Sequence, residues 1–574
     1  MHPSELATFF QNFADLLEIR GREEDGFPII AYRRAVDVLQ DHEGDILKLI
    51  KEEKLHTLPG IGKGIEVKAK ELIDTGKVKE YEVLKKQVPE SVLDLLRIPS
   101  LGPKKASALF NELKVKDIEG LKKAIGSGKA EKLPRFGKKT VEKFTKGMKM
   151  LEKMKGRTLL GDATIVVEAL LKELKKCKEI TKMEVAGSFR RREETVGDID
   201  ILTTVKDTSK VADFITSLKD VEQVLGKGDT KISVLLNTGL QVDVRMIEPK
   251  SYGAALQYFT GSKAHNVELR TYAKENGFKI NEYGIFPSSN PPGVESPFDA
   301  SRESAIYETL KMNFIPPELR QANGEIKSAL DHKLPDLIEL EDIKGDLHVH
   351  SSWSSDAKGS IEEMAKTAED LGYEYICITD HSVSIGIAAG PKTKTEVIKK
   401  KKEIEKAQKK LKIKILCGTE VDIKSDGSLD YSDDILKEMD FVIAAIHSSF
   451  DKDNTDRLIS AINHPLVHAI AHPTGRLLGK RNAYPFDEDK VYKEAKKNNV
   501  WLEINAHPSR LDLPSSMCRK AKAAGCKFII NTDAHRGGGL SFMHFGVSTA
   551  SRGWIEKSDV VNTMPLKKFL GELK

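Results

Sequence analysis

The spacing of apolar and polar positions divides the chain into four parts. In the first 150 residues, apolar side chains recur every three or four positions, as in amphipathic helices; an early example is Leu6, Phe9, Phe10, Phe13, Leu16 and Leu17. Residues 158–316 mix helices with alternating strands at 182–186, 200–204 and 241–247. Residues 317–342 have no clear period, which predicts a linker with a short helix. Residues 343–574 alternate apolar runs with Lys/Glu-rich helices, the pattern of a parallel α/β domain.

Length and composition favour a multidomain protein of the cytoplasm. The 574 residues exceed what one hydrophobic core normally serves. No apolar run is long enough to predict a membrane span, and the first twenty residues lack the pattern of a signal peptide. The five cysteines form no CxxC pair, so we expect free thiols in a reducing compartment.

A basic region with a repeated turn predicts contact with a polyanion. Residues 97–157 hold 18 basic and 6 acidic side chains. Segments 58–65, 98–106 and 133–140 share an apolar–Pro–x–x–Gly core before a predicted helix. One copy fits an ordinary helical hairpin, but three copies beside lysines favour phosphate binding at helix N-termini. They resemble helix-hairpin-helix motifs, and the candidate DNA contacts are Gly60, Gly62, Gly102, Lys104 and Gly137.

Three aspartates predict a first catalytic centre. Asp198 and Asp200 are two positions apart on a predicted strand, so both project to the same face. Asp243 lies between Val242 and Val244 on another strand, and it joins the pair if the strands are neighbours. Neighbouring carboxylates repel each other and favour divalent cations, which nucleotidyl transfer requires. The preceding turn supplies Gly187, Ser188 and Arg191, which suit close approach to a phosphate.

These motifs resemble those of family X DNA polymerases, the group typified by polymerase beta. GSFRR (187–191), GDID (197–200), QVDVR (241–245) and YFTGS (258–262) carry the resemblance over about residues 1–316. It implies that the three aspartates bind two metal ions and activate the primer 3′ hydroxyl. It also implies that nucleotide binding involves Arg157, Gly187, Ser188, Arg191, Tyr258, Phe259, Gly261 and Asn266, and that Arg270 contacts the template. Lys263 stands where relatives carry an acid, and we expect it to strengthen nucleotide binding.

The N-terminal repeat resembles the lyase domain of the same family. Lys68 falls at the position of the Schiff-base lysine. Phe27 and Pro28, however, stand where relatives carry basic side chains for a 5′ phosphate. The two interpretations of Lys68, a lyase nucleophile and a solvated helix lysine, both stay open.

The C-terminal part predicts a second metal centre at the ends of seven strands. Seven apolar runs each end in a histidine, an acid or both, and 10 of the 15 histidines lie between 348 and 544. In α/β barrels the carboxyl ends of the strands form the active site. So many imidazole and carboxylate groups exceed one tetrahedral site and favour two or three ions of zinc or manganese.

This arrangement resembles the PHP (polymerase and histidinol phosphatase) domain over about residues 343–574. The resemblance implies a distorted (β/α)7 barrel with metal ligands His348, His350, Asp356, His381, Glu420, His447, His472, Asp533 and His535. Arg481, Asn505 and Arg510 follow strand ends and could contact a substrate phosphate, or they are ordinary loop residues.

Together these features predict a multidomain α+β and α/β repair polymerase that fills short DNA gaps and processes 3′ ends. We expect a helical lyase-like domain (1–87), a fingers-type domain (88–150), a palm (151–248), a thumb (249–316), a linker (317–342) and the PHP barrel (343–574). We expect Mg²⁺ or Mn²⁺ in the palm, Zn²⁺ or Mn²⁺ in the barrel, dNTPs, gapped or nicked duplex DNA, and a cytoplasmic monomer associated with the nucleoid through DNA. Cleavage at abasic sites is a further expectation.

Three alternatives remain. In the first, the barrel is a small-molecule phosphatase fused to a DNA-binding module. In the second, the palm is catalytically idle and the chain is a scaffold. In the third, nucleotide transfer is independent of a template. The three turn motifs argue against the first alternative, and the complete set of aspartates argues against the second. Arg270 and the turn motifs favour a templated duplex over the third.

Overall fold

The computed structural model describes residues 3–41, 46–98, 101–134, 136–154, 156–289, 296, 298–383 and 389–573. The chain divides into two compact units, Met1–Lys155 and Gly156–Lys574. Pro99, Ser100 and Arg135, which belong to the second and third turn motifs, lie outside the described residues. Within the described ranges, no helix combines the length and the apolar character that a membrane span needs.

The first unit is helical, as its apolar spacing predicts. Its helices are α1 (Pro3–Arg20), α2 (Gly26–Asp41), α3 (Ile46–Lys51), α4 (Lys63–Thr75), α5 (Lys79–Gln87), α6 (Leu93–Leu96), α7 (Pro103–Leu113), α8 (Ile118–Gly126) and α9 (Lys138–Met154). They enclose one core that runs from Leu6 to Met148. Phe13 and Tyr32 stack inside it with ring centroids 4.5 Å apart.

The second unit begins with a domain that contains a five-stranded sheet and a separate two-stranded sheet. Its elements are β1 (Thr158–Leu159), α10 (Leu160–Leu174), β2 (Ile180–Val185), α11 (Gly187–Arg190), β3 (Thr195–Val196), β4 (Asp198–Val205), α12 (Thr208–Thr216), β5 (Val221–Lys227), β6 (Lys231–Leu236) and β7 (Gln241–Met246). The strand order is β2-β4-β7-β6-β5, with β4 and β7 parallel. The predicted strands at 182, 200 and 241 are therefore confirmed, and the two aspartate-bearing strands are neighbours.

A mainly helical segment with a two-stranded hairpin follows the sheet. It contains α13 (Tyr252–Thr260), α14 (Lys263–Glu275), β8 (Phe278–Asn281), β9 (Gly284–Pro287), α15 (Glu303–Thr309) and α16 (Glu325–Leu330). The short helix expected between 317 and 342 is present as α16, but this stretch is packed rather than loose. Leu319 and Ala329 belong to the same buried core as Leu269.

The rest of the chain is a parallel barrel of seven strands with outer helices. Its elements are β10 (Gly345–Val349), α17 (Ile361–Asp370), β11 (Tyr375–Ile378), α18 (Lys394–Gln408), β12 (Lys414–Asp422), α19 (Asp433–Leu436), β13 (Phe441–Ala445), α20 (Thr455–Ile462), β14 (Ala469–Ile470), α21 (Glu488–Asn498), β15 (Trp501–Asn505), α22 (Ser515–Ala523), β16 (Phe528–Asn531), α23 (Met543–Arg552) and α24 (Leu566–Glu572). The strands follow in sequence order, and a bridge from Val349 to Ala534 links the first to the end of the last. Both strand faces are buried, which explains the continuous apolar runs in the sequence.

The barrel completes the core beneath the five-stranded sheet. Leu511 and Phe545 are barrel residues, yet they belong to the same buried cluster as Leu160 and Val196. Pro508 packs against Gly161, where an added Cβ would come within 2.5 Å of the Pro508 Cβ. The sheet domain and the barrel therefore share apolar packing.

Candidate active sites

The first candidate site lies where β4 and β7 run side by side. Asp200 is paired in register with Asp243, and Asp198 with Gln241. Ile199 and Ile201 are fully buried on the opposite face, as the two-residue period requires. The sequence thus predicted correctly that the three carboxylates share one face of one sheet.

Cations compensate the charge of these carboxylates. Lys231 Nζ lies 2.5 Å from Asp243 Oδ2, and Arg245 Nε lies 3.4 Å from Asp200 Oδ1. Burial and the neighbouring aspartates raise the pKa of Asp200, whereas hydrogen bonds from Lys231, Ser233 and Gln241 outweigh burial and lower the pKa of Asp243. Among the described residues, the three aspartates do not form a group of ligand atoms within 4.8 Å of one another. Two divalent ions would relieve the remaining repulsion between them.

The Gly187–Ser188 turn begins the short helix α11 rather than a simple loop. Gly187 has a φ of +64°, and a Cβ there would come within 3.0 Å of Asp200 Oδ2. Glycine is therefore required at this position for both backbone and space. Arg191 closes the helix, and its Nη1 donates a hydrogen bond to the Thr260 carbonyl oxygen at 2.5 Å. This bond holds the candidate phosphate arginine beside the end of α13.

The other nucleotide candidates surround the same turn. Gly261, with a φ of +68°, follows α13 and leaves 3.2 Å between a would-be Cβ and Arg191 Nη1. Asn266 donates to the Tyr258 carbonyl oxygen at 2.7 Å and accepts from Gln257 at 2.8 Å, which fixes its amide. The Arg245 guanidinium lies 4.1 Å from the centroid of the Phe259 ring.

Arg157, Lys263 and Arg270 are more peripheral. Arg157 hydrogen-bonds to Thr195 on the strand that precedes the aspartates. Lys263 is the exposed first residue of α14, and the exposed Arg270 lies two turns further on. The cleft between the sheet and the β8–β9 hairpin has a volume of about 1030 Å³ and is lined by Lys231, Arg245 and Phe259 among others.

In the first unit the repeated turns precede helices, as predicted. Gly62 and Gly102 cap the N-termini of α4 and α7, and Gly137 directly precedes α9. Gly60 has a φ of +97°, and Lys104 lies in the first turn of α7. The three turns therefore place helix N-termini, a type of backbone site that can bind phosphate, beside lysines.

The environment of Lys68 differs from that of a solvated lysine. Its side chain is 21% exposed, and its Nζ pairs with Glu80 at 2.8 Å. The Nζ also lies 6.0 Å from the centroid of the Tyr32 ring. Phe27, at the expected position of a phosphate-binding cation, is 82% exposed.

The second candidate site lies at the carboxyl ends of the barrel strands. Three groups each bring ligand atoms within 4.8 Å of one another: His350, His381 and His535; His348, His350 and Asp533; His381, Glu420 and His447. The two remaining candidates contact these groups. Asp356 Oδ2 lies 3.3 Å from both His381 and His535, and His472 Nε2 lies 2.9 Å from Glu420. The structure thus brings all nine predicted residues together.

Several buried atoms of this cluster are suited to metal ions. His348 Nε2 and His350 Nε2 are buried and form no hydrogen bond in the described part of the chain, and His381 Nδ1 lies 2.7 Å from the equally buried Glu420 Oε2. On the outer side, His348 Nδ1 lies 2.7 Å from Glu503, and His447 Nδ1 lies 3.2 Å from Asp422. Such carboxylate contacts orient a ring so that its other nitrogen faces a metal. The donor set therefore fits divalent cations.

The charges within the cluster favour the same interpretation. Burial, with His535 and His381 nearby, lowers the pKa of His350 to about 3, so this ring is neutral. Burial also lowers the pKa of His472 to about 4. The surrounding histidines outweigh burial and hold the pKa of Glu420 well below its usual range. Neutral imidazoles and ionised carboxylates are the forms that ligate metals.

We predict that metal binding at the barrel releases protons. Burial opposes a charged His381 ring, but Glu420 and Asp356 outweigh it and raise its pKa to about 10. The metal-free ring is then protonated at pH 7, whereas a ligating ring is neutral. Affinity should therefore increase about tenfold per pH unit for each proton displaced. Calorimetric titration with Mn²⁺ at pH 6, 7 and 8, in buffers of different ionisation enthalpy, measures this. A pH-independent affinity would contradict it.

Some residues around the second cluster were not among the predicted site residues. The fully buried Lys400 of α18 pairs with Asp380 at 2.8 Å, and Asp380 accepts hydrogen bonds from Ser351 and Ser354. The Ser354 hydroxyl in turn accepts from the His381 backbone. Lys400 lies three residues after Val397 and four before Ile404, on the buried face of α18, so this spacing is the signal that could have indicated a buried lysine.

The three phosphate candidates of the barrel are close to the cluster. Arg510 Nε lies 3.3 Å from Asp533 Oδ2, and Asn505 donates to the same carboxylate at 3.2 Å. Arg481 stacks on Phe450. Burial, together with the positive charge of Arg510, lowers the pKa of Arg481 to about 10. Two arginines therefore lie on the side of the cluster near Asp533.

Comparisons with known proteins match four parts of the chain to family models. Family models match as a helix-hairpin-helix domain (1–78), a DNA polymerase beta palm (162–254), a DNA polymerase beta thumb (255–321) and a PHP domain (346–507). The DNA polymerase/3'-5' exonuclease PolX of Bacillus subtilis (strain 168) is 39% identical over 580 residues, covering 100% of both chains.

Shorter relatives match part of the chain. A probable phosphatase of Thermoanaerobacter sp. (strain X514) is 30% identical over 244 residues, 40% of this chain and 95% of its own. A probable phosphatase of Clostridium acetobutylicum is 30% identical over 204 residues, which cover 33% of this chain and 78% of the phosphatase. The similarity to the Bacillus subtilis protein extends over the full length of both chains, and palm, thumb and PHP models all match in this one chain. The protein therefore belongs to the family X DNA polymerases that carry a C-terminal PHP domain.

Proposed function

We propose that this protein is a DNA-directed DNA polymerase that fills short gaps during repair and trims DNA 3′ ends with its PHP barrel. The observation that supports it is the presence of two separate clusters of metal-binding side chains in one chain. One consists of aspartates on a sheet, and the other of histidines and acids at strand ends. A palm that only bound DNA would not need neighbouring carboxylates on one sheet face, which repel each other.

In the palm, each side chain has a distinct role in nucleotide transfer. When bound, two Mg²⁺ or Mn²⁺ ions supply activation of the 3′ hydroxyl and stabilisation of the leaving pyrophosphate. Asp198 and Asp200 would hold both ions, and Asp243 would hold the catalytic ion and help to activate the primer 3′ hydroxyl. Ser188 and Arg191 hold the triphosphate, assisted by Arg157, and Tyr258 with Phe259 contacts the sugar. Asn266 and Arg270 contact the base pair.

In the barrel, the chain orients a phosphodiester at the 3′ end for hydrolysis. When bound, two or three Zn²⁺ or Mn²⁺ ions supply an activated water and charge neutralisation at the phosphate. The nine clustered side chains hold these ions. Arg510 binds a phosphate oxygen, with Arg481 beside it, and Asn505 fixes Asp533. Abasic sites and 3′ phosphates present the same phosphoester chemistry and are further substrates.

The remaining assignments form one proposal. The domains run over 1–87, 88–150, 151–248, 249–316, 317–342 and 343–574, as the sequence predicts. The enzyme acts as a monomer on gapped or nicked duplex DNA, in the cytoplasm and in association with the nucleoid. Gly60, Gly62, Gly102, Lys104 and Gly137 hold the DNA backbone without reading its sequence.

Lyase activity at Lys68 is a separate proposal. The half-buried Lys68 amine lies beside Tyr32 and pairs with Glu80 at 2.8 Å, so a nucleophilic role requires that it leave this carboxylate. Trapping with borohydride on a 5′ sugar phosphate tests it. A covalent adduct that disappears in Lys68→Ala supports it, and equal trapping in both proteins contradicts it.

Replacing Lys263 with Ala should weaken nucleotide binding. Lys263 is exposed next to Gly261, so its charge contributes as a surface cation acting on a polyanion. We expect the KM for dNTP to rise about threefold with little change in kcat, as measured by single-nucleotide gap filling. Exposed Lys274, at the other end of α14, is the matched control. Unchanged dNTP affinity in Lys263→Ala would refute this role.

One assay tests the two activities together. The protein is incubated with a one-nucleotide-gapped duplex, labelled at the primer 5′ end, with Mn²⁺ and with or without dNTPs. Extension with dNTPs and shortening without them would support both centres. Extension alone would direct the barrel to another phosphoester, and histidinol phosphate tests the small-molecule alternative. Shortening alone would indicate an idle palm. A protein that shows neither extension nor shortening would contradict the proposal.

A further inference from the structure

One loop of the barrel contacts both the palm and the metal-ligand cluster. It comprises residues 507–512 and follows β15; we call it the bridging loop. Its Leu511 side chain is 1% exposed and lies in the palm core, and its Pro508 packs against Gly161 of α10. The palm therefore fixes one side of this loop by apolar packing.

An arginine that is anchored in the palm holds the backbone of the same loop. Arg476 Nε donates a hydrogen bond to the Arg510 carbonyl oxygen at 2.9 Å, and its Nη2 donates to the Leu511 carbonyl oxygen. The same guanidinium forms a two-point pair with Glu194 of the palm, at 2.7 and 3.2 Å. The Arg476 side chain is only 12% exposed, so this charge-assisted geometry is well defined.

The side chain of Arg510 reaches the cluster from the other side of the loop. Its Nε lies 3.3 Å from Asp533 Oδ2, and Asp533 Oδ1 lies 3.2 Å from His350 Nε2. Arg510 Nη1 is buried and has no hydrogen-bond partner within the described ranges. A buried guanidinium with an unpaired N–H group next to a metal ligand is suited to a phosphate oxygen.

We propose that Glu194 of the palm is a positioning residue for phosphodiester hydrolysis in the barrel. Its carboxylate fixes Arg476, Arg476 fixes the Arg510 and Leu511 carbonyl groups, and the bridging loop then holds Arg510 beside Asp533. This inference rests on the proposed function of the barrel, and specifically on Arg510 as the phosphate contact. It gives the palm a direct part in a reaction that takes place at another centre.

Glu194→Gln removes the charge of this contact and keeps its size. Because small displacements of an orienting group reduce rate strongly, we expect kcat for 3′-end hydrolysis to fall about tenfold. KM for DNA should stay within about twofold, since the DNA-binding surface is unchanged. Gap filling should be retained because, among the described residues, the Glu194 side chain hydrogen-bonds to Arg476 and to none of the proposed nucleotide residues.

A double-mutant cycle separates positioning from general destabilisation. Hydrolysis of a 5′-labelled single-stranded oligonucleotide is measured with Mn²⁺ for the full-length protein and for Glu194→Gln, Arg510→Gln and the double variant. If Glu194 acts through Arg510, then Glu194→Gln has almost no further effect in the Arg510→Gln background. Asp162→Asn is the matched control, since Asp162 is a palm acid near Lys480 of the barrel and, within the described ranges, forms no hydrogen bond to the bridging loop. It should hydrolyse at the wild-type rate.

The outcomes distinguish this inference from the proposed function. Wild-type hydrolysis in Glu194→Gln, with Arg510→Gln defective, overturns the inference alone. The same holds if Glu194→Gln costs its full factor in the Arg510→Gln background, or if Asp162→Asn is equally slow. Wild-type hydrolysis in Arg510→Gln overturns the assignment of Arg510 and the inference with it.

Discussion

Asp243→Asn should abolish gap filling, with a loss of about a thousandfold or more in kcat, while 3′-end hydrolysis is retained. Asp243 is 4% exposed on β7 and lies in register beside Asp200. Asparagine has nearly the same size, so the sheet keeps its packing. It removes the negative charge that holds the metal next to the primer hydroxyl. The variant removes the charge that Lys231 and Arg245 pair with, so its thermal unfolding is compared with that of the wild type.

Single-turnover extension of a gapped duplex measures this loss. Asp213→Asn is a suitable control, because Asp213 is an acid of the same domain that pairs with Lys227 at the surface. It should extend the primer at the wild-type rate. If the Asp243→Asn variant fills gaps at a rate within tenfold of the wild type, the aspartates are not the catalytic centre.

His350→Ala should have the opposite effect and abolish 3′-end hydrolysis. His350 belongs to two of the three groups of potential ligands, one with His381 and one with His348. Its loss therefore disturbs two metal positions at once. We expect hydrolysis to fall by about a thousandfold, with gap filling within about twofold of the wild type.

Shortening of a labelled strand, measured without dNTPs across a range of Mn²⁺ concentrations, tests this prediction. His464→Ala provides the comparison, because His464 is a barrel histidine that pairs with Asp433 outside the cluster. It should remain fully active. If His350→Ala loses neither activity, the barrel centre does not carry the hydrolysis, and if it loses both, the variant has a folding defect.

The spacing of residues in the sequence was sufficient to place both clusters. Residues two positions apart on a strand point to the same face. This period predicts that Asp198 lies beside Asp200 and that His348 lies beside His350. The carboxyl ends of parallel strands meet at one end of a barrel, which predicts the meeting of His381, Glu420 and Asp533. The structure agrees with both placements, and the roles of these side chains stay predictions.

Contacts between distant segments could not be predicted in this way. Lys231 meets Asp243 because two antiparallel strands pair in one register, and that register is fixed by the whole sheet. The segment after 317 has no period, yet Leu319 and Ala329 are buried by tertiary packing. The pair between Glu194 and Arg476 joins residues of two domains, and no local pattern marks either of them.

The shared core beneath the palm sheet has a consequence for synthesis of the protein. Chains leave the ribosome from the N-terminus, and domains generally fold as they emerge. The palm strands are complete at Met246, but two of the side chains that fill the core, Leu511 and Phe545, are made much later. By the time Phe545 has emerged, all nine barrel ligands have emerged as well. In the nascent chain, the palm core is therefore completed only after all nine barrel ligands have been made.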